Sequence, residues 1–418
     1  MTAELNGNKM DARPNFDKEF SFAKRTTCLR INLDTILSNI GILKAQCSNH
    51  TDVIAVIKAN AYGHGSVEVA RYLSRHGIHH FAVAAPSEGK VLRQAGVTDF
   101  IQVFGNANEV EIPDLLENKL VPTVATIEFL QLWAEKLRLN KENNGLISND
   151  GSNVHTHVGS VVIKVDSGMS RNGCQPEDLV SLIKFCLGNG VHVHSIMTHF
   201  SQAWDDPDFT KIQLETFLKA ASPYRKHGIK LHTANSAGII QGFGVDLDFI
   251  RPGIAIYGQP LDNMPSTIAQ YEELGLRPAM AWLARPTLIK TVGPGQVVGY
   301  DQTYKCKEEE IVATFPVGYA DGYNRLLSGK GLITTIYGTP CPVIGRVSMD
   351  AITVKLHKDT ACQDYYILQD DFTSANSTTQ MANELKTITY EVCTSLSQRL
   401  PRLYIGDGKL YTERTNSL

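Results

Sequence analysis

The feature that most constrains this chain is a regular alternation of short apolar runs with helix-length segments between about residues 53 and 257. Such alternation is typical of repeated βα units on a parallel sheet, and eight units can close into a barrel. We therefore predict an α/β fold that begins with a TIM-type (β/α)8 barrel. The eight apolar runs are VIAVIK from Val53, HFAVA from His80, IQVFG from Ile101, VPTVA from Val121, VVIKVD from Val161, VHSIMTHF from Val193, LHTAN from Leu231 and IRPGIAIYG from Ile250.

The segments between and before these runs carry helix signals. Apolar residues recur at helical spacing after Gly65 and again before Gly188, and the run LRINL near the start predicts one more strand. Asp34 follows that strand and is expected to cap the next helix. The polar stretch from Asn140 to His157 has the composition of an exposed loop, which we interpret as a surface insertion without function.

Beyond Tyr257 the pattern changes to strand-like runs separated by Pro and Gly. Residues 258–280 resemble a linker, and the runs after them predict a small, mostly antiparallel β domain with a final hairpin at Gly406. Two helical pieces are expected near the end, at Met381–Leu385 and Tyr390–Leu396. The predicted domains are an N-terminal extension (1–28), the barrel (29–265) and a β-rich C-terminal domain (266–418).

Composition restricts the functional classes. The chain has 40 basic and 43 acidic residues, so its net charge of -3 gives no electrostatic reason to expect nucleic acid or an anionic membrane as a partner. No apolar run is long enough to span a bilayer, and the first twenty residues lack the apolar core of a secretory signal. The eight cysteines form no CxxC pair, so we expect a reducing cytoplasm, no disulfide framework and no metal.

The segment VIKANAYGHG places Lys58 at the carboxyl end of the first predicted barrel strand. Active sites of such barrels form at this end of the strands. Desolvation there would lower the pKa of Lys58 and make it a usable nucleophile toward an aldehyde cofactor. Gly63 and Gly65 allow the backbone to approach a bound anion, and Tyr62 offers a phenol. A lysine at a strand end that merely extends into solvent is the alternative interpretation.

At this point the chain resembles the alanine racemases, pyridoxal 5'-phosphate (PLP) enzymes of fold type III. VIKANAYGHG is similar to their PLP-lysine motif, and further blocks follow in that family's order. Coverage runs from about Cys28 to Tyr404. The resemblance implies a PLP-binding barrel followed by a β-rich domain, working as a homodimer whose active sites are shared between subunits. The further blocks are KVDSGMSRNG, THF, ANSAG, RPGIAIYG, GYDQTY, GYADGY, IGRVSMD and TYEVCTSLSQRLPRLY.

The resemblance also implies roles for individual residues. Lys58 would hold PLP as a Schiff base and act as the base for the D-enantiomer, whereas Tyr300 of the other subunit would act on the L-enantiomer. Arg251 would face the pyridine nitrogen, and Arg171 and Met349 would contact the substrate carboxylate. The remaining positions implied to bind the cofactor are Tyr62, Arg171, His199, Asn235, Ser236, Gly253, Ile254 and Tyr390.

Other matching positions have supporting roles in the family. Lys164 matches a lysine that is carbamylated in many members, where it holds the arginine that corresponds to Arg171. We further hypothesise that His199 lowers the pKa of Tyr300. Ser170 departs from the family, which usually has glycine there. The positions that match the substrate entrance are Tyr319, Arg325, Arg346 and Asp350.

Each of these residue types has a plain structural alternative. Arg171 could cap a surface helix, Arg251 could form a structural salt bridge, and His199 could be an ordinary core histidine. Lys164 could pair with Asp166. Four further residues have alternatives of the same kind: Asn235 and Ser236 could cap a helix, Gly253 could make a turn, and Tyr390 could fill the domain interface.

The primary functional prediction is an alanine racemase that supplies D-alanine for peptidoglycan. Racemisation requires removal of the Cα proton from one face and its return on the other, so two bases must flank the reacting carbon. Three alternatives stay open: a racemase of broader range that accepts serine, a PLP decarboxylase of the same two-domain plan, and a non-enzymatic PLP carrier. The carrier would need no second base and no second domain.

Overall fold

The computed structural model describes residues 14–144, 157–358 and 362–412, which form a closed parallel barrel, a ten-stranded sheet and a two-stranded sheet. The strands in these ranges are β1 Thr27–Asn32, β2 Asp52–Val56, β3 His80–Val83, β4 Phe100–Asn106, β5 Val121–Val124, β6 Val161–Lys164, β7 Val193–Met197, β8 Lys230–His232, β9 Phe249–Ile250, β10 Met280–Ala284, β11 Leu288–Val292, β12 Val297–Val298, β13 Tyr304–Lys305, β14 Glu310–Phe315, β15 Leu332–Thr335, β16 Pro340–Ile344, β17 Ile352–Leu356, β18 Tyr365–Leu368, β19 Arg402–Gly406 and β20 Lys409–Thr412.

Helices alternate with the barrel strands and recur in the second unit. Their bounds are α1 Phe16–Ala23, α2 Leu33–Lys44, α3 Lys58–Tyr62, α4 Ser66–Arg75, α5 Pro86–Gln94, α6 Ile112–Glu117, α7 Ile127–Asn144, α8 Leu179–Gly188, α9 Pro207–Ala221, α10 Ser236–Ile240, α11 Pro265–Leu274, α12 Thr378–Leu385 and α13 Thr389–Thr394. None of the helices in the described ranges has both the length and the apolar character needed to cross a membrane.

The eight predicted runs are the eight strands of the barrel, β2 to β9, so the predicted fold class is confirmed. Neighbouring strands pair in parallel register, for example Ile54 with His80 and Phe81 with Ile101. The predicted helical stripes also pack inward, because Ala70 and Leu73 of α4 are fully buried. Burial on both faces explains why these strands appear in the sequence as continuous apolar runs.

The second unit is a ten-stranded sheet of order β11-β14-β17-β16-β15-β18-β10-β1-β19-β20. All of its pairings are antiparallel except that of β1 with β19. Strand β1 therefore pairs within this sheet, although it precedes the barrel in the chain and lies inside the range predicted for the barrel domain. The hairpin of β19 and β20 turns at Asp407, as predicted.

Three local predictions need correction. The cap of α2 is Asn32, whose side chain accepts a hydrogen bond from the Thr35 amide, while Asp34 instead accepts one from the Tyr72 hydroxyl. The predicted linker contains α11, in which Pro265 occupies the first turn. The predicted surface loop begins too early, since residues 140–144 continue α7; residues 145–156 lie outside the described ranges.

One hydrophobic core runs through both units, joining barrel residues such as Ile163 to sheet residues such as Trp282 and Tyr404. Polar contacts cross the boundary as well: the Arg402 side chain of β19 donates to the carbonyl of Gly63 at 2.9 Å, immediately after Lys58–Tyr62. All eight cysteines are free thiols. The second sheet thus reaches the segment that carries the predicted catalytic lysine.

Candidate active site

A cavity of about 380 Å³ opens at the carboxyl end of the barrel strands. Strand ends and the loops that follow them supply its walls, as expected for an active site on this fold. Eleven of the predicted site residues line it together. They are Lys58, Tyr62, Lys164, Arg171, His199, Asn235, Ser236, Arg251, Gly253, Ile254 and Tyr390.

Lys58 begins a left-handed turn. Four consecutive residues after it, Ala59, Asn60, Ala61 and Tyr62, have φ between 51° and 53°. This conformation is unfavourable for residues other than glycine, by about 1–2 kcal/mol each. Burial lowers the pKa of Lys58, and Arg171 adds to the effect. The direction agrees with the sequence-based expectation of a nucleophilic amine.

Arg251 extends across the base of the cavity with hydrogen bonds to three neighbours. One terminal nitrogen donates to His232 Nδ1 at 2.8 Å, and the other donates to the carbonyls of Thr198 at 2.6 Å and Thr233 at 2.8 Å. Its Nε is buried and has no hydrogen-bond partner. Burial lowers the pKa of Arg251 to about 9, which still leaves the guanidinium charged at neutral pH. No carboxylate of the described residues pairs with it, so the salt-bridge alternative is not observed.

The loop that carries Arg171 is organised by a carboxylate. Asp166 accepts hydrogen bonds of 3.0 Å from the amides of Gly168, Met169 and Ser170. Burial alone would raise the pKa of Asp166, but these three donors outweigh it and the pKa is lowered. Ser170 adopts φ of 57°, the left-handed conformation that glycine adopts without strain. Arg171 follows in the same loop, and among the described residues its side chain makes no hydrogen bond to a helix end.

Lys164 approaches the same loop from the end of β6. Its amine donates to the side chain of Asn172, and not to Asp166 as the structural alternative required. Burial lowers the pKa of Lys164 to about 8, with further lowering by Arg171 and Arg251. A sizeable fraction of this amine is therefore neutral near pH 7.5.

The opposite wall contains a concentration of backbone amides and hydroxyls. The Ser236 hydroxyl accepts hydrogen bonds from the Gly253 amide at 3.0 Å and from the Ala255 amide at 3.4 Å. A Cβ atom at Gly253 would stand 2.7 Å from the Tyr62 hydroxyl, so a larger residue there would displace the Tyr62 side chain. Asn235 caps α10 through the Gly238 amide, as its structural alternative proposed.

His199 lines the same cavity as Arg251. Burial lowers its pKa well below 6.5, and Arg251 lowers it further, so the imidazole is neutral at physiological pH. A neutral His199 cannot lower the pKa of Tyr300 through its own charge. The hypothesis that His199 lowers the pKa of Tyr300 stays a prediction, in which Arg251 would supply the positive charge.

The second set of predicted residues lies elsewhere, in the segments that connect the strands of the second unit between β12 and β17. Tyr300 is 68% exposed and Met349 54% exposed, and neither lines the cavity of its own chain. Contacts connect this set: Arg346 pairs with Asp301 at 3.2 Å, and the Met349 carbonyl accepts from the Ala320 amide at 3.0 Å. We call the Tyr300 surface the set Tyr300, Tyr319, Arg325, Arg346, Met349 and Asp350.

Sequence reasoning missed several residues that shape the site. Asn172 stands inside the quoted block SRNG, so a signal for it existed. Trp204 lines the cavity and His232 supports Arg251, but neither has a pattern of its own in the sequence. Among the described residues Glu88 accepts from backbone amides; its N3 position in α5 signals a helix cap, but no spacing could reveal its contact with Ala59.

The fold and the site together define a two-domain enzyme with a (β/α)8 barrel and a cationic cavity at its carboxyl end. Residues 31–260 match the family profile for the alanine racemase N-terminal domain, and residues 279–404 match the profile for the C-terminal domain. The chain belongs to the alanine racemase family, a family of isomerases. Because the second domain is present, the non-enzymatic carrier alternative is not supported.

Similar proteins cover nearly the whole chain. Alanine racemase 2 of Bacillus subtilis is 35% identical over 94% of this chain and 98% of its own length. The alanine racemase of Halothermothrix orenii is 33% identical, with 91% and 97% covered. Among solved structures, the alanine racemase of Clostridium difficile 630 has a TM-score of 0.80 at 31% identity, covering 92% of this chain and 97% of its own.

Two further structures contain bound molecules. The alanine racemase of Bacillus anthracis, solved with bound L-Ala-P, has a TM-score of 0.77 at 31% identity, with 92% of this chain and 96% of its own covered. The alanine racemase of Bartonella henselae, solved with covalently bound pyridoxal phosphate, has a TM-score of 0.73 at 24% identity, with 91% and 99% covered. The similarity to the Bartonella henselae structure supports the fold of this chain alone.

Proposed function

We propose that this enzyme interconverts L-alanine and D-alanine with bound PLP, using Lys58 of one subunit and Tyr300 of another as its two bases. The observation that carries the proposal is the cavity itself. It combines a lysine of lowered pKa, a buried arginine with a free Nε donor, and a wall of backbone amides at the active end of the barrel.

The described residues fit PLP. Arg251 Nε is a buried donor without a partner, which suits the pyridine nitrogen as an acceptor. The space that a Cβ atom would fill at Gly253, beside the Tyr62 hydroxyl and the amides near Ser236, suits a phosphate group. When bound, PLP supplies the electron sink that acidifies the Cα proton. Lys58 would hold it.

The side chains of the protein would then remove the Cα proton and return it. Lys58 Nζ, with its pKa lowered by burial, can accept the proton and return it to the same face. Inversion needs a second acceptor on the other face, and the Tyr300 hydroxyl is the candidate. The charge of Arg251 near the cavity base favours an ionised phenol there, since an unperturbed tyrosine has a pKa of about 10.

Tyr300 would reach the cavity from a second copy of the chain, in a homodimer with shared sites. Its exposure and its absence from its own chain's cavity support this arrangement. On the Tyr300 surface, Met349 would then offer its backbone to the substrate carboxylate beside Arg171. Tyr319, Arg325, Arg346 and Asp350 would line the entrance.

Lys164 is proposed to be carbamylated. Reaction with carbon dioxide requires a neutral amine, and a pKa of about 8 supplies one at physiological pH. The new carboxylate would stand next to Asn172 and close to Arg171, and would restrain that arginine. Without the modification, Lys164 and Arg171 would repel each other.

The biological role that fits this reaction is the supply of D-alanine for peptidoglycan. A cytoplasmic location is proposed because all eight cysteines are free thiols. The domain bounds 1–28, 29–265 and 266–418 also remain proposals. A broader racemase that accepts serine is the main alternative, and the Tyr390 side chain in the cavity favours a small substrate.

The test is incubation with L-alanine and, separately, L-serine in deuterated water. We expect D-alanine carrying deuterium at Cα and slower conversion of serine. Lys58→Ala should abolish the reaction, whereas Lys184→Ala, an exposed lysine on α8, should leave it unchanged. Full activity in Lys58→Ala would overturn the proposal. Deuterium at Cα of L-alanine without formation of D-alanine would mean that Tyr300 does not act as the second base.

A further inference from the structure

We propose that Glu88 is a positioning residue, which holds Lys58 in its reactive orientation by bracing the left-handed turn that follows it. The role toward PLP rests on the proposed function. The bracing of the turn does not rest on the proposed function, because it concerns contacts within this chain.

The contacts of Glu88 are short and all go to the backbone. One carboxylate oxygen accepts from the Ala59 amide at 2.6 Å, and the other accepts from the amides of Ala84 at 2.6 Å and Ala85 at 3.3 Å. No cationic side chain of the described residues pairs with Glu88. Its charge is therefore held by backbone donors, which gives short and strong hydrogen bonds.

These contacts join two neighbouring βα units. Lys58 follows β2, whereas Glu88 lies in the first turn of α5, directly after β3. The Ile57 amide continues the ladder between the two strands with a hydrogen bond of 2.9 Å to Ala82. Just beyond this bond the Lys58 turn leaves the sheet, and the carboxylate spans the gap from Ala84 to Ala59.

The turn requires such a brace because its backbone is intrinsically unfavourable. Four successive residues with φ above 50°, none of them glycine, would relax to ordinary conformations without external contacts. A second brace comes from the other unit, where the Arg402 side chain donates to the Gly63 carbonyl at 2.9 Å. Glu88 holds the beginning of the turn next to Lys58, and Arg402 holds its end.

Two substitutions separate bracing from simple charge. Glu88→Gln keeps the length but places an NH2 group against one of the backbone donors. Glu88→Asp keeps the charge but withdraws it by one methylene, which breaks the span between Ala59 and Ala84. Asp114→Asn is the matched control, because Asp114 lies in the first turn of the next barrel helix, α6, and pairs with the Lys90 side chain at 3.1 Å but with no amide of the Lys58 turn.

The first measurement is hydrogen exchange of the peptide covering residues 57–65 in the apoprotein. Both Glu88 variants should exchange there about tenfold faster than wild type, because an amide brace is lost, while Asp114→Asn should not change. The second is the rate at which apoprotein forms its covalent adduct with PLP, followed by absorbance. It should fall by about 10- to 100-fold, as expected when a reacting group is displaced by about 1 Å.

The outcomes are decisive in either direction. Faster exchange and slower adduct formation in both Glu88 variants support the proposal. Wild-type behaviour of Glu88→Asp would mean that charge alone matters and would overturn it, as would unchanged exchange in both variants or an equal effect of Asp114→Asn. Failure of the racemase proposal would show as absent activity in wild type, while the exchange result would still stand.

Discussion

The strongest test of a shared active site is complementation between two inactive variants. Lys58→Ala lacks the cofactor-holding base, and Tyr300→Phe lacks the hydroxyl on the exposed surface. In a mixed dimer, one site would combine Lys58 of the second variant with Tyr300 of the first and would be intact. The other site would carry both changes.

The size of the recovery follows from this geometry. Random assembly of equal amounts makes about half of the dimers mixed, and each mixed dimer has one intact site of two. The mixture before separation should therefore show about a quarter of wild-type activity per subunit, and the purified mixed dimers should show about half. Each parent alone should be nearly inactive in the conversion of L-alanine to D-alanine.

The assay is co-expression with two affinity tags, sequential purification and measurement of D-alanine formation. The matched control pairs Lys58→Ala with the double variant Lys58→Ala/Tyr300→Phe, which can form no intact site. Activity no higher than in the parents would refute the reasoning, because it would mean that Tyr300 serves the cavity of its own chain or none.

Three other predictions concern stability and cofactor affinity. Ser170→Gly should raise the free energy of unfolding in urea by about 0.5 kcal/mol. The reason is that relief of about 1–2 kcal/mol of left-handed strain outweighs the larger entropy of glycine in the unfolded chain. A lower free energy of unfolding would contradict the strain. Burial raises the pKa of Glu19 to about 7. This pKa lies above the unfolded value of about 4.3, so the wild type should lose stability as the pH rises from about 4.5 to 7. Glu19→Gln should therefore be more stable than wild type at pH 8 by about 1–3 kcal/mol. An unchanged pH slope in urea titrations would argue against it. Gly253→Ala should weaken PLP binding by about tenfold in equilibrium dialysis, because the new Cβ would meet Tyr62. Gly188→Ala, with nothing within 4 Å of the new Cβ, should bind PLP as wild type does.

The barrel was predictable because each of its strands is buried on both faces. Runs such as VVIKVD carry that burial directly in the sequence, and eight of them suffice to indicate closure. The helix α11 was missed for a physical reason of the same kind. Pro265 and Gly275 resemble linker punctuation, but they stand at its first turn and at its left-handed C-cap.

The site was predictable where the chemistry sits in contiguous blocks. Lys58, Arg251 and Ser236 follow strand ends, and the barrel brings strand ends together. The contact of Glu88 with Ala59 was not predictable, because the two residues lie in different βα units and only the folded barrel brings them together. The neutral state of His199 likewise depends on burial and on Arg251, which only the assembled cavity provides.

Strand β1 has a wider consequence for how this enzyme can be divided. It lies between β10 and β19, so the barrel is in effect an insertion within the other unit, entered after Asn32 and left before Met280. A fragment starting at residue 266 would lack an interior strand and expose two unpaired edges, a known route to aggregation. The chain also passes between the two units twice, whereas a simple two-domain chain passes once, and two connections oppose hinge rotation between the units.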